Sequence, residues 1–172
     1  MAAQSAKKKQ SSPLIRLAVK AAAFAAALFV LLRFVFGVCI YRGNRMFPAV
    51  RDGDLIIYSR LPELRQGDIA AYLSPKNNKT DFSRVIGLAG CEIDITELGE
   101  LKTNGYVPQE SIFYRTEKAE GSSVEFPLTV AEGRYFLLDD YRTKGRDSRV
   151  FGVVEKDRIK GKVIYIVRRR GF

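Results

Sequence analysis

A chain of 172 residues without a single histidine closes most routes to nucleophilic or zinc chemistry. Serine and cysteine nucleophiles activated by histidine are excluded, so a hydrolase built here would need a serine with a lysine base, or a pair of carboxylates. Ser83 with Lys79 or Lys144 is the serine and lysine set on offer, provided that a lysine nitrogen reaches the hydroxyl. The two cysteines add little. Cys39 lies in an apolar run and Cys91 in the polar remainder, so a disulfide between them is not expected, and neither has a histidine to activate it. Cys39 is also not a lipid attachment site, because Val38 stands where a small residue would be needed before cleavage. No cofactor and no metal site is expected.

The elements that must position such residues fall into three stretches. Residues 1–13 form a basic tail, expected on the cytoplasmic side. Residues 14–40 are an apolar anchor, with twelve uninterrupted apolar residues from Ala21 to Leu32 that Lys20 and Arg33 extend by laying their stems along the helix. The helix ends either near Arg33 or near Ile40. No small-x-small cleavage pattern follows, since the chain reads Val38-Cys39-Ile40-Tyr41-Arg42, and an uncleaved signal anchor is expected. Six basic and no acidic residues precede Tyr41, which places the amino terminus inside and the rest of the chain outside the cell membrane. Arg168, Arg169 and Arg170 are available to touch anionic lipid. The formal charge of +10 is therefore concentrated at the anchor. A nucleic-acid partner is not expected, because no basic stripe interleaved with aromatics and no binding motif is present.

Residues 41–172 read as one mostly β domain of coiled antiparallel sheets. Asp52-Gly53-Asp54 leads into Leu55-Ile56-Ile57-Tyr58, and Gln66-Gly67-Asp68 into Ile69-Ala70-Ala71-Tyr72, each a turn feeding a strand. Strands are expected again over Phe82 to Leu88, Cys91 to Thr96, Tyr135 to Leu138, Val150 to Val154 and Lys162 to Val167. Asn104-Gly105 marks a hairpin turn whose two central residues need positive φ. Glu110 to Ser123 lacks periodicity and reads as a surface excursion. Nothing after the anchor sustains a helical period.

Gly43-Asn44-Arg45-Met46-Phe47-Pro48 with Gly53-Asp54, then Gly67-Asp68-Ile69-Ala70-Ala71-Tyr72, Arg84-Val85-Ile86-Gly87-Leu88-Ala89-Gly90, and Asp140-Tyr141-Arg142 through Asp147-Ser148-Arg149-Val150-Phe151-Gly152 form four boxes in order after the anchor. Together they resemble the bacterial type I signal peptidases, above all the Gram-positive forms. That resemblance implies a membrane-anchored serine endopeptidase in which a Ser nucleophile is deprotonated by a neutral Lys. It also implies that both catalytic positions are lost. Arg45 stands at the nucleophile, Ser83 at the base, and Gly145 where a second Ser would orient the Lys. A guanidinium cannot attack a carbonyl. A cation at 45 in an apolar cleft needs a carboxylate or phosphate partner.

The resemblance further implies an ion pair between Arg84 and Asp147, with Arg149 nearby, and a binding cleft at Arg45, Met46, Pro48 and Ser83, where an extended substrate lies against residues 43–48 and 82–88. Ala49, Ala89, Cys91, Asp139 and Tyr141 depart from the family pattern beside the lost centre. The chain is similar to one branch, the signal-peptidase-like proteins found with pilin genes. That similarity implies a non-catalytic factor acting on pilin subunits or other secreted proteins at the membrane. The alternative is an active signal peptidase with a rearranged dyad.

Overall fold

The computed structural model describes residues 13–109, 112 and 114–168. The basic tail at Lys7 to Lys9, the last arginines from Arg169 on, and Glu110, Ser111 and Phe113 of the expected excursion lie outside the described residues. The chain divides into two units, one ending at Val35 and one beginning at Phe36.

The first unit is a helix, α1 (Pro13–Val30), whose last turn widens into a π-helical segment (Leu31–Val35). Proline at its first position loses no hydrogen bond there, since that amide would be unpaired anyway. Pro13–Val35 is long and apolar enough to cross a membrane, with a mean hydropathy of 2.1. The next five residues leave the helix. Phe36–Ile40 form strand β1, so the stretch expected as anchor over 14–40 loses its last turn and a half to the sheet. β-branched Val38 and Ile40 suit a pleated ladder better than a helix.

The second unit is antiparallel β, as the turn spacing implies. After β1 come β2 (Leu55–Ser59), β3 (Ile69–Leu73), β4 (Thr80–Gly87), β5 (Glu92–Ile95), β6 (Leu101–Thr103), β7 (Leu128–Thr129), β8 (Arg134–Leu138), β9 (Val154–Glu155) and β10 (Ile159–Val167). Seven strands form a coiled sheet in the order β1-β2-β10-β3-β4-β8-β9, and β6-β5-β7 form a small second sheet. The two Gly-Asp sequences make the same turn twice. Gly53 and Gly67 both take positive φ, the amides of Asp54 and Asp68 each reach back three residues to a carbonyl at 3.1 Å, and their carboxylates accept the amides of Arg51 and Arg65. Asn104 and Gly105 both have positive φ, as their hairpin turn requires.

The strand expected over Val150 to Val154 is instead a short helix followed by β9. Asp147 caps α2 (Ser148–Phe151) by accepting the Arg149 amide, and Gly152 at φ 80 ends it. The apolar run Val150-Phe151 concealed the Asp-Ser-Arg start signal.

One core cluster fixes the segment that matters for the site. Tyr41, Met46, Val50, Ile56, Tyr58, Ala71 and Phe82 pack together, with the Tyr41 and Tyr58 rings edge-on to Phe82. Met46, fully buried, contributes about 1.5–3 kcal/mol by that burial and holds the 43–50 loop to the sheet. On the opposite face of β1, β2 and β10, Ile57 of β2 is flanked by Val38 and Tyr165, and Leu55 by Ile40 and Val167. Four of these, Val38, Ile40, Tyr165 and Val167, are exposed, giving an apolar patch two rows deep.

Gly161 takes the close approach between β10 and the end of β2. Its φ is +153, and a Cβ there would lie 2.1 Å from the Ser59 carbonyl oxygen. Gly161→Ala is expected to destabilise the protein by roughly 2–3 kcal/mol, read as a lowered urea midpoint of the detergent-solubilised chain. An unchanged midpoint would show that the β2–β10 edge relaxes freely.

Candidate functional site

The site sits where the 43–50 loop, β3, β4 and the segment after β8 converge. Arg45 is placed on the loop by backbone bonds on both sides: its carbonyl accepts the Tyr141 amide at 2.8 Å, and the Met46 amide donates to the Tyr41 hydroxyl at 3.2 Å. Its guanidinium is divided between two carboxylates. Nη2 pairs with Asp81 at 2.5 Å and Nη1 with Asp139 at 3.4 Å. Burial alone would lower the Arg45 pKa, but the Asp81 hydrogen bond and the charges of Asp139 and Asp81 raise it overall. Arg45 remains a cation, and its charge is matched within the protein.

Ser83, on β4 beside Ala70 of β3, is fully buried. Its Oγ donates to Asp139 Oδ1 at 2.6 Å and lies 3.1 Å from the Tyr72 hydroxyl, which donates to it. Both of its partners are thus identified, and neither Lys79 nor Lys144 is one. Lys144 Nζ stands over the Tyr141 ring instead. The serine and lysine pair that composition allows is not assembled.

Asp139 completes the arrangement. Fully buried at the end of β8, it accepts from Ser83, from Arg45 and from the Arg146 amide at 3.0 Å. Burial, and then the nearby negative charge of Asp147, push its pKa up to about 7, against the opposing Arg45 charge. Burial likewise raises the Tyr72 hydroxyl, and pushes Tyr41 up to about 12. The result is a chain Tyr72, Ser83, Asp139, Arg45, Asp81 running from the core to the cleft.

The expected ion pairing of Arg84 with Asp147 is corrected. The Arg84 fork grips Asp140 with Nε at 2.7 Å and Nη2 at 2.5 Å, while Nη1 donates to the Gly67 carbonyl. Asp147 is held by Arg149 through Nε at 2.9 Å and Nη2 at 2.8 Å. Adjacency decides this: the capping geometry of α2 puts the Arg149 side chain beside its own cap residue, while Arg84 on β4 faces the β8 end. The expected cleft is also redrawn. Met46 and Ser83 have no exposed surface, Pro48 is half-buried, and Arg45 lines two cavities. Gly145 does line one. A Cβ there would meet Asp147 Oδ2 at 2.5 Å and Arg149 Nη2 at 2.6 Å.

The sequence marks Asp139 only as a departure from the family pattern beside the centre, and gives no role to Asp81 or Tyr72. The available signal was the demand of a cation at position 45 for a carboxylate, together with a carboxylate at 139 beside it in the last box.

With an ordinary carboxyl pKa of 3.8 and a folded value of about 7, the native state keeps a proton on Asp139 that the unfolded chain has lost. The stability this group contributes is present below pH 3.8 and is lost as the pH rises through about 7. Asp139→Asn should therefore make the fall of the urea midpoint between pH 4 and 7 shallower than in the wild type. Identical slopes would show that Asp139 is ionised throughout.

A family model described as signal peptidase, peptidase S26, matches residues 14–168. Signal peptidase I of Bacillus licheniformis is 32% identical over 155 residues, 83% of each chain. Signal peptidase IB of Staphylococcus aureus is 27% identical over 157 residues, 80% of this chain and 81% of its own. The crystal structure of a signal peptidase I from Enterococcus faecalis superposes with a TM-score of 0.52 at 28% identity, covering 60% of this chain and 98% of the other. The match over nearly the whole length, with the same half-barrel of coiled antiparallel strands, means that this chain belongs to the signal peptidase S26 family.

Proposed function

We propose that this chain is a membrane-tethered member of the family that holds an extended segment of a secreted polypeptide at the outer membrane surface without cutting it. The partner class we infer is the pilin subunit. The carrying observation is that Arg45, which the resemblance of the first box sets at the family's nucleophile position, is bound through its guanidinium to Asp81 and Asp139. Ser83 below it is buried and hydrogen-bonded to a carboxylate and a tyrosine. α1, with residues 31–35, serves in this reading as the anchor, the amino terminus being cytoplasmic. The apolar rows on β1, β2 and β10 suit a surface seated against lipid. Extended segments bind through main-chain hydrogen bonds that need no nucleophile.

The second reading is an active signal peptidase, which is favoured by the similarity to the signal peptidases of Bacillus licheniformis, Staphylococcus aureus and Enterococcus faecalis. It would require Ser83 to act with Asp139 as base and to become accessible. The discriminating experiment is cleavage of a signal-peptide substrate by the purified full chain, alongside co-isolation of pilins. We expect no cleavage. Cleavage that Ser83→Ala abolishes would establish the second reading.

Restoring the family residues is a sharper test. Arg45→Ser with Ser83→Lys and Gly145→Ser is expected to stay nearly inactive, for two physical reasons. Asp139 would hold the new ammonium in its charged form, where it cannot act as a base. The new Ser side chain would collide with the Asp147–Arg149 pair. Adding Asp139→Gly to the triple variant should raise turnover, and vigorous cleavage by the triple variant alone would refute the role assigned to Asp139.

A further inference from the structure

We propose that the larger cavity beside Arg45 is a recognition site for a carboxylate-bearing polypeptide segment, an apolar residue followed by an acidic group. This deepens the holding function and rests on it. The cavity, about 920 Å³, is of a size that takes a peptide segment. The Arg45–Asp81 pair stands at its edge, where both residues, with Asn77, also line a smaller cavity of about 250 Å³.

Two walls form the site. One is the turn between β3 and β4, bringing Ser74, Lys76 and Asn77. This turn is fixed by the Ser74 amide on the Lys79 carbonyl, the Asn78 amide on the Ser74 carbonyl, and Asn77 Oδ1 accepting the Lys79 amide. The other is the segment from Gly145 into α2, bringing Arg146, Val150 and Phe151. Its backbone is held by the Arg146 amide on Asp139, and the Phe151 ring packs against Tyr72 at 6.4 Å. The site is therefore built on fixed backbone.

Its charge decides the ligand. Arg45 and Asp81 neutralise each other. The Arg146 guanidinium and the Lys76 ammonium, both exposed, have no carboxylate partner among the described residues. Two uncommitted cations over an apolar wall made by Val150 and Phe151 select an acidic group next to an apolar side chain. The anion recognition expected at Arg45 is thereby displaced to Arg146 and Lys76, because the Arg45 charge is already used internally.

The carboxylate can be the end of a chain or an acidic side chain, and the test separates these. Three dye-labelled hexapeptides are titrated into the detergent-solubilised full chain: one ending in Phe-Glu with a free terminus, the same peptide amidated, and an amidated peptide with Gln for Glu. The uncharged peptide is expected to bind about tenfold or more weaker than the free acid, with the gap closing as salt is raised. The amidated Glu peptide assigns the anion. Affinity like that of the free acid points to the side chain, and affinity like that of the uncharged peptide points to the terminus. Lys76→Glu combined with Arg146→Glu, both at exposed positions, should abolish the preference while leaving the circular dichroism spectrum unchanged. Equal binding of charged and uncharged peptides by the wild type would overturn the inference and leave the holding function intact. No binding of any peptide would overturn both.

Discussion

The site is organised by a buried negative charge. Asp139 sits at the end of β8 with no exposed surface, and an isolated carboxylate there would be costly enough to force either protonation or pairing. The protein uses some of each. Its pKa rises to about 7, and Arg45 and Ser83 supply a cation and a hydroxyl donor. Arg45 needs more than this partly protonated partner, and Asp81 provides the shorter contact. Removing one member of such a buried set typically costs about 3–5 kcal/mol, because it strands the others. The residues at 45, 81, 83 and 139 are thus interdependent, and none can change alone without disturbing its neighbours.

Around this chain, a second set of charges holds the backbone in place. Arg84 binds Asp140, Arg149 binds Asp147, and a further Arg149 nitrogen donates to the Arg142 carbonyl at 2.7 Å. Arg142, itself buried, donates to Thr116, and Arg149 also reaches the Glu117 carbonyl. The segment after β8 has little regular structure of its own, so these charge-assisted bonds do the positioning that a ladder does elsewhere. They explain why residue 145 has no room for a side chain: its Cβ direction points into the Asp147–Arg149 pair.

The antiparallel architecture was legible from turn chemistry, because Gly53, Gly67 and Asn104-Gly105 carry conformational demands that few other turns meet. The end of the anchor was open in the sequence, since Phe36 to Ile40 are apolar in either setting and only pairing with β2 decides it. α2 is hidden in the sequence because the apolar pair Val150-Phe151 suits a strand as well as a helix, and only the Asp147 cap marks its start. At the site, the need of Arg45 for a counter-charge was legible in the sequence. Its partners were not, because Asp81 and Asp139 are 36 and 94 residues away, and only the fold brings them together. The crossed pairing of Arg84 has the same origin: a sequence offers several carboxylates to one guanidinium, and the register of β4 against β8 selects among them.

The Arg45–Asp81 contact has a consequence for any ligand. Both residues line two cavities, so a segment seated in both would run against a short ion pair, and any ligand that displaced it would leave two charges to find new partners. Such displacement is unfavourable unless the ligand replaces both partners. A segment that stays on one side meets no such penalty and gains from main-chain hydrogen bonds along a strand edge or from the cations at 76 and 146. Cutting a chain requires it to pass the reacting centre on both sides, whereas holding it does not. The Arg45–Asp81 pair therefore favours a ligand that stops there, and family membership alone would not distinguish cutting from holding.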